Sequence, residues 1–200
     1  MPDNKNMFRQ QKLSMVILAG GASSRMGKDK SDLPICGKTF LEIQIEKGQL
    51  LGIKDILVSG YRGKKCSVRV VEDRIPGRGP LGGLESCLRE AENEWCLVLG
   101  VDVPMVPADV LERLIEKAFN SSAPAVILRH GEHEEPLIGV YRTDLADAMA
   151  QEITERKGSV FAFLRRIGYG TYVSGAADKY FANVNDPAAY DTLIRNACVR

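Results

Sequence analysis

The chain has 200 residues, with 27 Lys plus Arg against 26 Asp plus Glu, so its net charge of +1 supplies no broad field for nucleic acid. That length suits one domain burying roughly 70% of its unfolded surface. Cys36, Cys66, Cys87, Cys96 and Cys198 are odd in number and never spaced as C-x-x-C, which argues for free thiols in a reducing compartment and against a disulfide frame or a zinc site.

Residues 1–12 are polar and amide-rich, without a hydrophobic signal core, and read as a flexible tail before a single domain over 13–200. No stretch approaches the ~18 apolar residues of a membrane span, so a cytoplasmic protein with no membrane partner is expected. Short apolar strands then alternate with helical patterns, the sign of a parallel sheet covered on both faces. Met15–Ala19 is the first strand. Leu41, Ile45 and Gln49 mark one face of a helix that ends near Gly52, with Leu50 and Leu51 apolar at its close. Strands are expected at Asp55–Ser59 and Val68–Glu72. A helix through Leu84, Cys87, Leu88 and Ala91 leads to a strand at Cys96–Leu99, and the stripe Val110, Leu111, Leu114, Ile115 and Ala118 leads to another at Ala125–Leu128. After this the alternation loosens. His130–Glu135 reads as an exposed turn, Leu137–Tyr141 as a strand, Asp144–Ile153 and Val160–Arg166 as helices, Thr171–Val173 as a strand and Ala188–Asn196 as a closing helix.

In open parallel sheets, ligands bind outside the carboxyl ends of the strands. Four such ends here carry polar or glycine-rich chemistry. After the first strand comes Gly20-Gly21 with Arg25, Lys28 and Lys30, in which backbone N–H groups can approach a phosphate chain and three cations can neutralise it. No Gly-Lys-Ser/Thr follows, so this is not a Walker loop, and the G-x-G-x-x-G spacing of a dinucleotide site is missing. Glu72-Asp73 precede Gly77-Arg78-Gly79-Pro80-Leu81-Gly82-Gly83, a run whose glycines are expected just ahead of a helix, leaving its first amides free for a ligand. Asp102 leaves a buried strand in Leu99-Gly100-Val101-Asp102-Val103-Pro104. A carboxylate there needs solvent, a partner or a cation, and Asp109 already serves the next helix. Magnesium takes one or two carboxylates and completes its shell with phosphate and water, so one aspartate suffices. Asn183-Val184-Asn185-Asp186-Pro187 offers amide donors and acceptors, with Asp186 and Pro187 placed to start a helix.

Other candidates read as structural. Arg62-Gly63-Lys64-Lys65 is expected to be a solvated turn, and His130 and His133 to sit at an exposed hairpin tip and not on zinc. No Ser, His and Asp constellation announces a hydrolase.

Leu18-Ala19-Gly20-Gly21…Arg25-Met26-Gly27…Lys30 resembles the LAGG-x-x-x-RMG-x-x-K loop of the molybdenum cofactor guanylyltransferases, the MobA-like nucleotidyltransferases. Gly79-Pro80-Leu81-x-Gly83, Asp102-x-Pro104, Pro136-Leu137-x-x-x-Tyr141 and Asn183-Val184-Asn185-x-Pro187 follow in that family's order, so the resemblance runs from Leu18 to Pro187. It implies an α/β, three-layer, Rossmann-like nucleotidyltransferase fold with a mostly parallel central sheet. The activity it implies is transfer of GMP from Mg-GTP to the molybdopterin-type molybdenum cofactor with release of pyrophosphate. On that resemblance the nucleotide contacts are Leu18, Ala19, Gly20, Gly21, Lys30, Ser59, Asp73 and Asp102. Asp102 holds Mg2+, Lys30 and Arg25 join it in catalysis, and Gly79, Pro80, Leu81, Asn183 and Asn185 face the acceptor, with Pro136–Tyr141 on the acceptor half. Cofactor-insertion proteins or apo-molybdoenzymes are the further partners it suggests. No general base is needed, because a terminal phosphomonoester with a second pKa near ~6 is already a nucleophile. Ser59 stands where several relatives carry Asn, and Asp186 where the family motif has Thr. Three alternatives remain open: a sugar-1-phosphate nucleotidyltransferase, which more typically shows G-x-G-T-R; a cytidylyltransferase of the same cofactor, which tends to carry Ala in place of Gly21; and a GTP-binding cofactor carrier without catalysis.

Overall fold

A computed structural model describes residues 12–20, 29–63, 66–156 and 158–197. Strand β1 (Leu13–Leu18) is followed by a 3-10 turn at Lys30–Asp32, a small ribbon of β2 (Pro34–Ile35) and β3 (Lys38–Thr39), and helix α1 (Phe40–Leu50). Then come β4 (Ile56–Ser59), β5 (Arg69–Val71), α2 (Gly79–Glu90), β6 (Trp95–Gly100) and α3 (Ala108–Phe119). The remaining elements are β7 (Ala125–His130), β8 (His133–Arg142), α4 (Ala146–Gln151), α5 (Val160–Ile167), β9 (Gly170–Val173) and α6 (Pro187–Ala197). No helix among the described residues is long and apolar enough to cross a membrane.

The central sheet has seven strands in the order β5-β4-β1-β6-β8-β7-β9. All its pairings are parallel except those of β8, which runs against both β6 and β7. Successive residues of a strand point to opposite faces, and β1 shows the consequence. Met15 and Ile17 pack with α1 and α3 on one side, while Val16 and Leu18 pack with α2, α4 and α5 on the other. Every residue of β1 is therefore buried, which is why Met15–Leu18 reads as a continuous apolar run rather than an alternation, with Ser14 the one polar residue of the strand. Helix α1 opens with a capping box: the Glu42 amide donates to Thr39 Oγ1 at 3.2 Å, and the Thr39 amide donates to Glu42 Oε2 at 2.7 Å.

The amino end of the sheet is tied by a structural network. Ser14 Oγ donates to Asp55 Oδ2 at 2.5 Å, Asn93 donates to Ser14 at 3.0 Å, and Arg69 pairs with Asp55 at 2.8 Å. The carboxyl end is left to loops.

Three expectations need correction. The glycines of Gly77–Gly83 do not all precede a helix. Helix α2 begins at Gly79, so Gly82 and Gly83 lie inside it and let it close on the sheet. The segment Asp144–Ile153 is not one helix but a 3-10 turn (Thr143–Leu145), α4, and a π turn (Glu152–Arg156) that turns the buried Glu152 toward Arg166, 2.6 Å away. His130–Glu135 does form a hairpin with an exposed tip at Gly131-Glu132-His133, but His130 does not share that exposure. The chain reverses at Gly131-Glu132, and His130 is the last residue of β7, only 7% exposed. Its Nδ1 lies 3.0 Å from Asp178 and its Nε2 3.2 Å from Glu135, while its ring stacks on Phe181 at 4.6 Å. The polar neighbours that suggested a solvated tip are partners which make burial of the imidazole tolerable.

Candidate nucleotide site

The order of strands reverses between β1 and β6, and at such a switch point the loops leaving neighbouring strands separate and open a crevice. The carboxyl ends of β1, β4, β5 and β6 converge there. A cavity of about 550 Å³ is lined by Leu18, Ala19, Gly20, Asp29, Ser59, Gly60, Arg62, Asp73, Gly77, Gly79, Pro80 and Gly83. Its size lies within the range of small-molecule sites. Pro80 belongs to the first turn of α2, an end that favours an anion.

The floor of this cavity depends on two glycines. A Cβ on Gly60, whose φ is +76°, would stand 2.4 Å from the Gly20 Cα and 2.6 Å from its nitrogen. The backbones after β1 and β4 thus touch, further tied by the Gly20 amide donating to the Ser59 carbonyl at 3.2 Å. Substituting Gly60 by Ala is expected to lower the thermal midpoint by several degrees and weaken nucleotide binding at least tenfold. A positive φ costs about 1–2 kcal/mol for an alanine, and the clash adds to it. Calorimetry and nucleotide titration on one preparation check this, and unchanged binding would show that the contact is not needed.

Beside it, Ser59 Oγ donates to Asp73 Oδ1 at 2.8 Å. Gly83 makes room for the pair, since a Cβ there would lie 2.2 Å from Ser59 Oγ. Ser59 therefore orients the Asp73 carboxylate on the cavity wall.

At the end of β6, Lys30 Nζ donates to Asn185 Oδ1 at 2.5 Å and lies 3.7 Å from Asp102 Oδ2. The Val184 amide donates to the Asp102 carbonyl at 2.9 Å, so the Asn183–Asn185 segment is fastened to the Asp102 loop by backbone as well as by Lys30. The two charged side chains remain 18% and 25% exposed. Burial pushes the Asp102 carboxyl above its ordinary pKa, against the pull of the Lys30 ammonium. A second cation would relieve that cost. Asp102 thus suits a divalent ion that takes one carboxylate and completes its shell with phosphate and water. Among the described residues no three His, Cys, Asp or Glu gather for an all-protein metal cage.

Beneath this loop lie two side chains of α1. Gln44, fully buried, donates from Nε2 to the carbonyls of Gly100 at 2.9 Å and Val103 at 3.1 Å. Lys47 Nζ donates to the Pro104 carbonyl at 2.6 Å and to Gln44 Oε1 at 3.1 Å. Burial depresses the Lys47 pKa to about 7. An unfolded lysine titrates near ~10.4, so between these values the unfolded chain holds a proton that the folded chain has released. Stability contributed by Lys47 therefore rises with pH across that window. The thermal midpoint of the parent is expected to climb relative to a Lys47→Met variant between pH 6.5 and pH 9 (roughly the accessible part of that window). A difference that stays flat would place the Lys47 titration elsewhere. The buried thiols of Cys87, pushed up to about 12, and Cys96, also raised, act in both proteins and cancel.

The structure thus brings Leu18, Ala19, Gly20, Ser59, Asp73, Gly79 and Pro80 onto one cavity, with Lys30, Asp102 and Asn185 joined at the neighbouring strand end. Asn183 lies instead on a second cavity of about 780 Å³, together with Met105, Lys179, Tyr180 and Thr192. Leu81 points into the core, 1% exposed. Tyr141 is also core: its hydroxyl donates to the Pro136 carbonyl, and burial raises its pKa. Asp186 caps α6 by accepting from the Ala189 amide at 2.9 Å. Gly21, Arg25 and Lys28 lie outside the described residues. The sequence reading missed Gly60, Gln44, Lys47 and Arg62, the last of which lines the cavity rather than only a solvated turn. Ser59-Gly60 at a strand end was a usable signal for the first of these.

Residues 15–168 match the family model for a MobA-like NTP transferase domain. A probable molybdenum cofactor guanylyltransferase of Carboxydothermus hydrogenoformans is 30% identical over 192 residues, 92% of this chain and 96% of that protein. A molybdenum cofactor guanylyltransferase of Yersinia pseudotuberculosis is 31% identical over 189 residues, covering 91% and 95%. The crystal structure of molybdopterin-guanine dinucleotide biosynthesis protein A from Archaeoglobus fulgidus superposes with a TM-score of 0.78 at 23% identity, covering 92% of this chain and 97% of that one.

Proposed function

The chain belongs to the MobA-like NTP transferase family, and from that premise we propose that it transfers GMP from magnesium-bound GTP to the molybdopterin form of the molybdenum cofactor, releasing pyrophosphate. It is a nucleotidyltransferase of the molybdenum cofactor guanylyltransferase kind. The observation that carries the mechanism is the joining of Lys30, Asp102 and Asn185 at the end of β6, next to the cavity walled by β1, β4 and α2.

In this reading the backbone of Leu18-Ala19-Gly20 lies along the nucleotide, and Asp73, oriented by Ser59, contacts it. Lys30 exchanges part of its contact with Asn185 for the triphosphate, and Arg25 adds charge from the same loop. Asp102 would hold Mg2+, which supplies charge neutralisation on the α-phosphate and the leaving pyrophosphate when bound. The acceptor phosphate attacks the α-phosphorus, the bond to the β-phosphate oxygen breaks, and pyrophosphate leaves. Two polyanions must be brought in line for this, so the contribution of the protein is positioning and electrostatic. Gly79, Pro80 and Asn185 are assigned to the acceptor side, with Asn183 facing the second cavity, and Leu81 supports the rim from the core. Cofactor-insertion proteins or apo-molybdoenzymes would receive the product, in the cytoplasm.

Incubation with labelled GTP, CTP, ATP or UTP and molybdopterin cofactor tests the proposal. Incorporation from GTP with stoichiometric pyrophosphate is expected. Preferred incorporation from CTP would favour the cytidylyltransferase reading, and GTP binding without pyrophosphate release would favour a carrier.

A further inference from the structure

The Asp102 carboxylate must keep its place when Lys30, its charged neighbour among the described residues, turns to another task. Its side-chain partner is Lys30, and in the function proposed above Lys30 also engages the triphosphate. What holds the aspartate is then its own backbone. Val101, Val103 and Val106 plug the loop into the core at 4%, 2% and 1% exposure, and the Val101 amide donates to the Leu18 carbonyl at 3.0 Å. Apolar plugs fix depth but not rotation about the chain. Rotation is set by directed hydrogen bonds: the Val184 amide holds the Asp102 carbonyl itself at 2.9 Å, and α1 holds the carbonyls on either side of it.

We propose that Gln44 and Lys47 are positioning residues for the reaction: one turn of α1 clamps the carbonyls of Gly100, Val103 and Pro104 from beneath and so fixes the angle at which Asp102 presents its carboxylate to a divalent cation. Residues three apart lie on one helix face, and here both reach the same loop. They also bond to each other, Lys47 Nζ to Gln44 Oε1, so each holds the other in its rotamer. The clamp flanks Asp102 on both sides, at Gly100 before it and at Val103 and Pro104 after it.

A packing role alone would be met by an apolar residue. Burying an ammonium on a carbonyl costs far more than burying a methionine, and the depressed pKa of Lys47 records that cost. Loss of the proton would not open the clamp, because a neutral amine keeps two N–H donors for the same two acceptors. The device is therefore geometric and works on either side of neutrality.

Outer partners of metal ligands typically change metal affinity by about 10–100-fold when removed. The inference rests on Asp102 as the metal ligand, so the experiment tests both. Mn2+ binding is measured by electron paramagnetic resonance with α,β-methylene-GTP present, alongside thermal melting of each protein and binding of the analogue without metal. Gln44→Met and Lys47→Met are each expected to raise the Mn2+ dissociation constant about tenfold or more, with metal-free analogue binding unchanged. The double variant is expected to lose less than the product of the two, because the residues share a hydrogen bond. Ser14→Ala, at the far end of the sheet, is expected to lower the melting point and leave Mn2+ binding as in the parent. If Lys47→Met does not fold, Gln44→Met alone carries the test through its own two carbonyls. Parent-like Mn2+ affinity in a folded Gln44→Met or Lys47→Met protein, with affinity lost in Asp102→Asn, would overturn the clamp and leave the metal ligand standing. Parent-like affinity in Asp102→Asn would overturn the ligand assignment itself.

Discussion

Replacing Lys30 with alanine is expected to lower turnover by on the order of 10²–10³-fold, the loss associated with one preorganised charged donor, while the protein stays folded. The side chain stands at a loop carboxyl to β1, 18% exposed, and its partners Asn185 and Asp102 are polar groups that water can reach once it is gone. No core cavity is made, so the stability change is small. The effect is expected mostly in kcat, because charge on the leaving pyrophosphate grows toward the transition state and ground-state phosphate binding is shared with the glycine loop. Lys30→Arg should recover part of the loss: it keeps the charge, but a planar fork does not reproduce the single short bond of an ammonium to Asn185. Single-turnover rates with labelled GTP read the change directly. Turnover within a few-fold of the parent in a folded Lys30→Ala protein would remove Lys30 from the catalytic role and pass the charge to Lys28 or Arg25.

Much of this site is legible in the sequence because strand ends announce themselves. Val16-Ile17-Leu18 and Leu97-Val98-Leu99 are buried on both faces, so their apolar runs are unbroken, and the glycines just beyond them, with Asp102 two residues past Gly100, mark the crevice. Asp102 can be nominated in that way, but Asn185 cannot: the sequence reading puts it at a strand end, whereas it lies in the loop between the 3-10 turn Asp178–Tyr180 and α6, and its contact with Lys30 spans 155 residues and depends on the tertiary fold. Gln44 and Lys47 were hidden for a different reason. They sit on a helix whose inward face the sequence marks with Leu41, Ile45 and Gln49, of which Gln49 is exposed, while a glutamine at 44 or a lysine at 47 looks solvated until its acceptors are known. His130 misled in the opposite sense: the acids near it in sequence suggested solvent, yet Glu135 and Asp178 enclose it. The start of α2 was displaced because glycine runs read as loops, whereas Gly83 is in the helix so that Ser59 can reach Asp73.

Asp102→Asn is the second substitution with a large expected effect, and it separates the aspartate from the lysine. The amide has nearly the shape of the carboxylate and keeps an oxygen for coordination, but the negative charge is lost. Activity at ordinary magnesium is expected to fall by on the order of 10²-fold or more. The magnesium concentration for half-maximal rate is expected to rise well above that of the parent, and part of the lost rate should return at high magnesium. Lys30→Ala should show no such recovery, since its defect is a missing cation on the phosphate and not a weakened ligand for the metal. Stability moves the other way. Asp102 is a largely buried acid whose ionised form is disfavoured by desolvation more than it is helped by Lys30, so a neutral isostere relieves a cost and the melting point should hold or rise. A protein that is as stable as its parent or more so, yet nearly inactive and hungry for magnesium, is the signature of a carboxylate kept for binding rather than for folding. Equal half-maximal magnesium in variant and parent would place the metal elsewhere. Asp73, the other aspartate held by a side chain on the cavity wall, would then be the carboxylate to test.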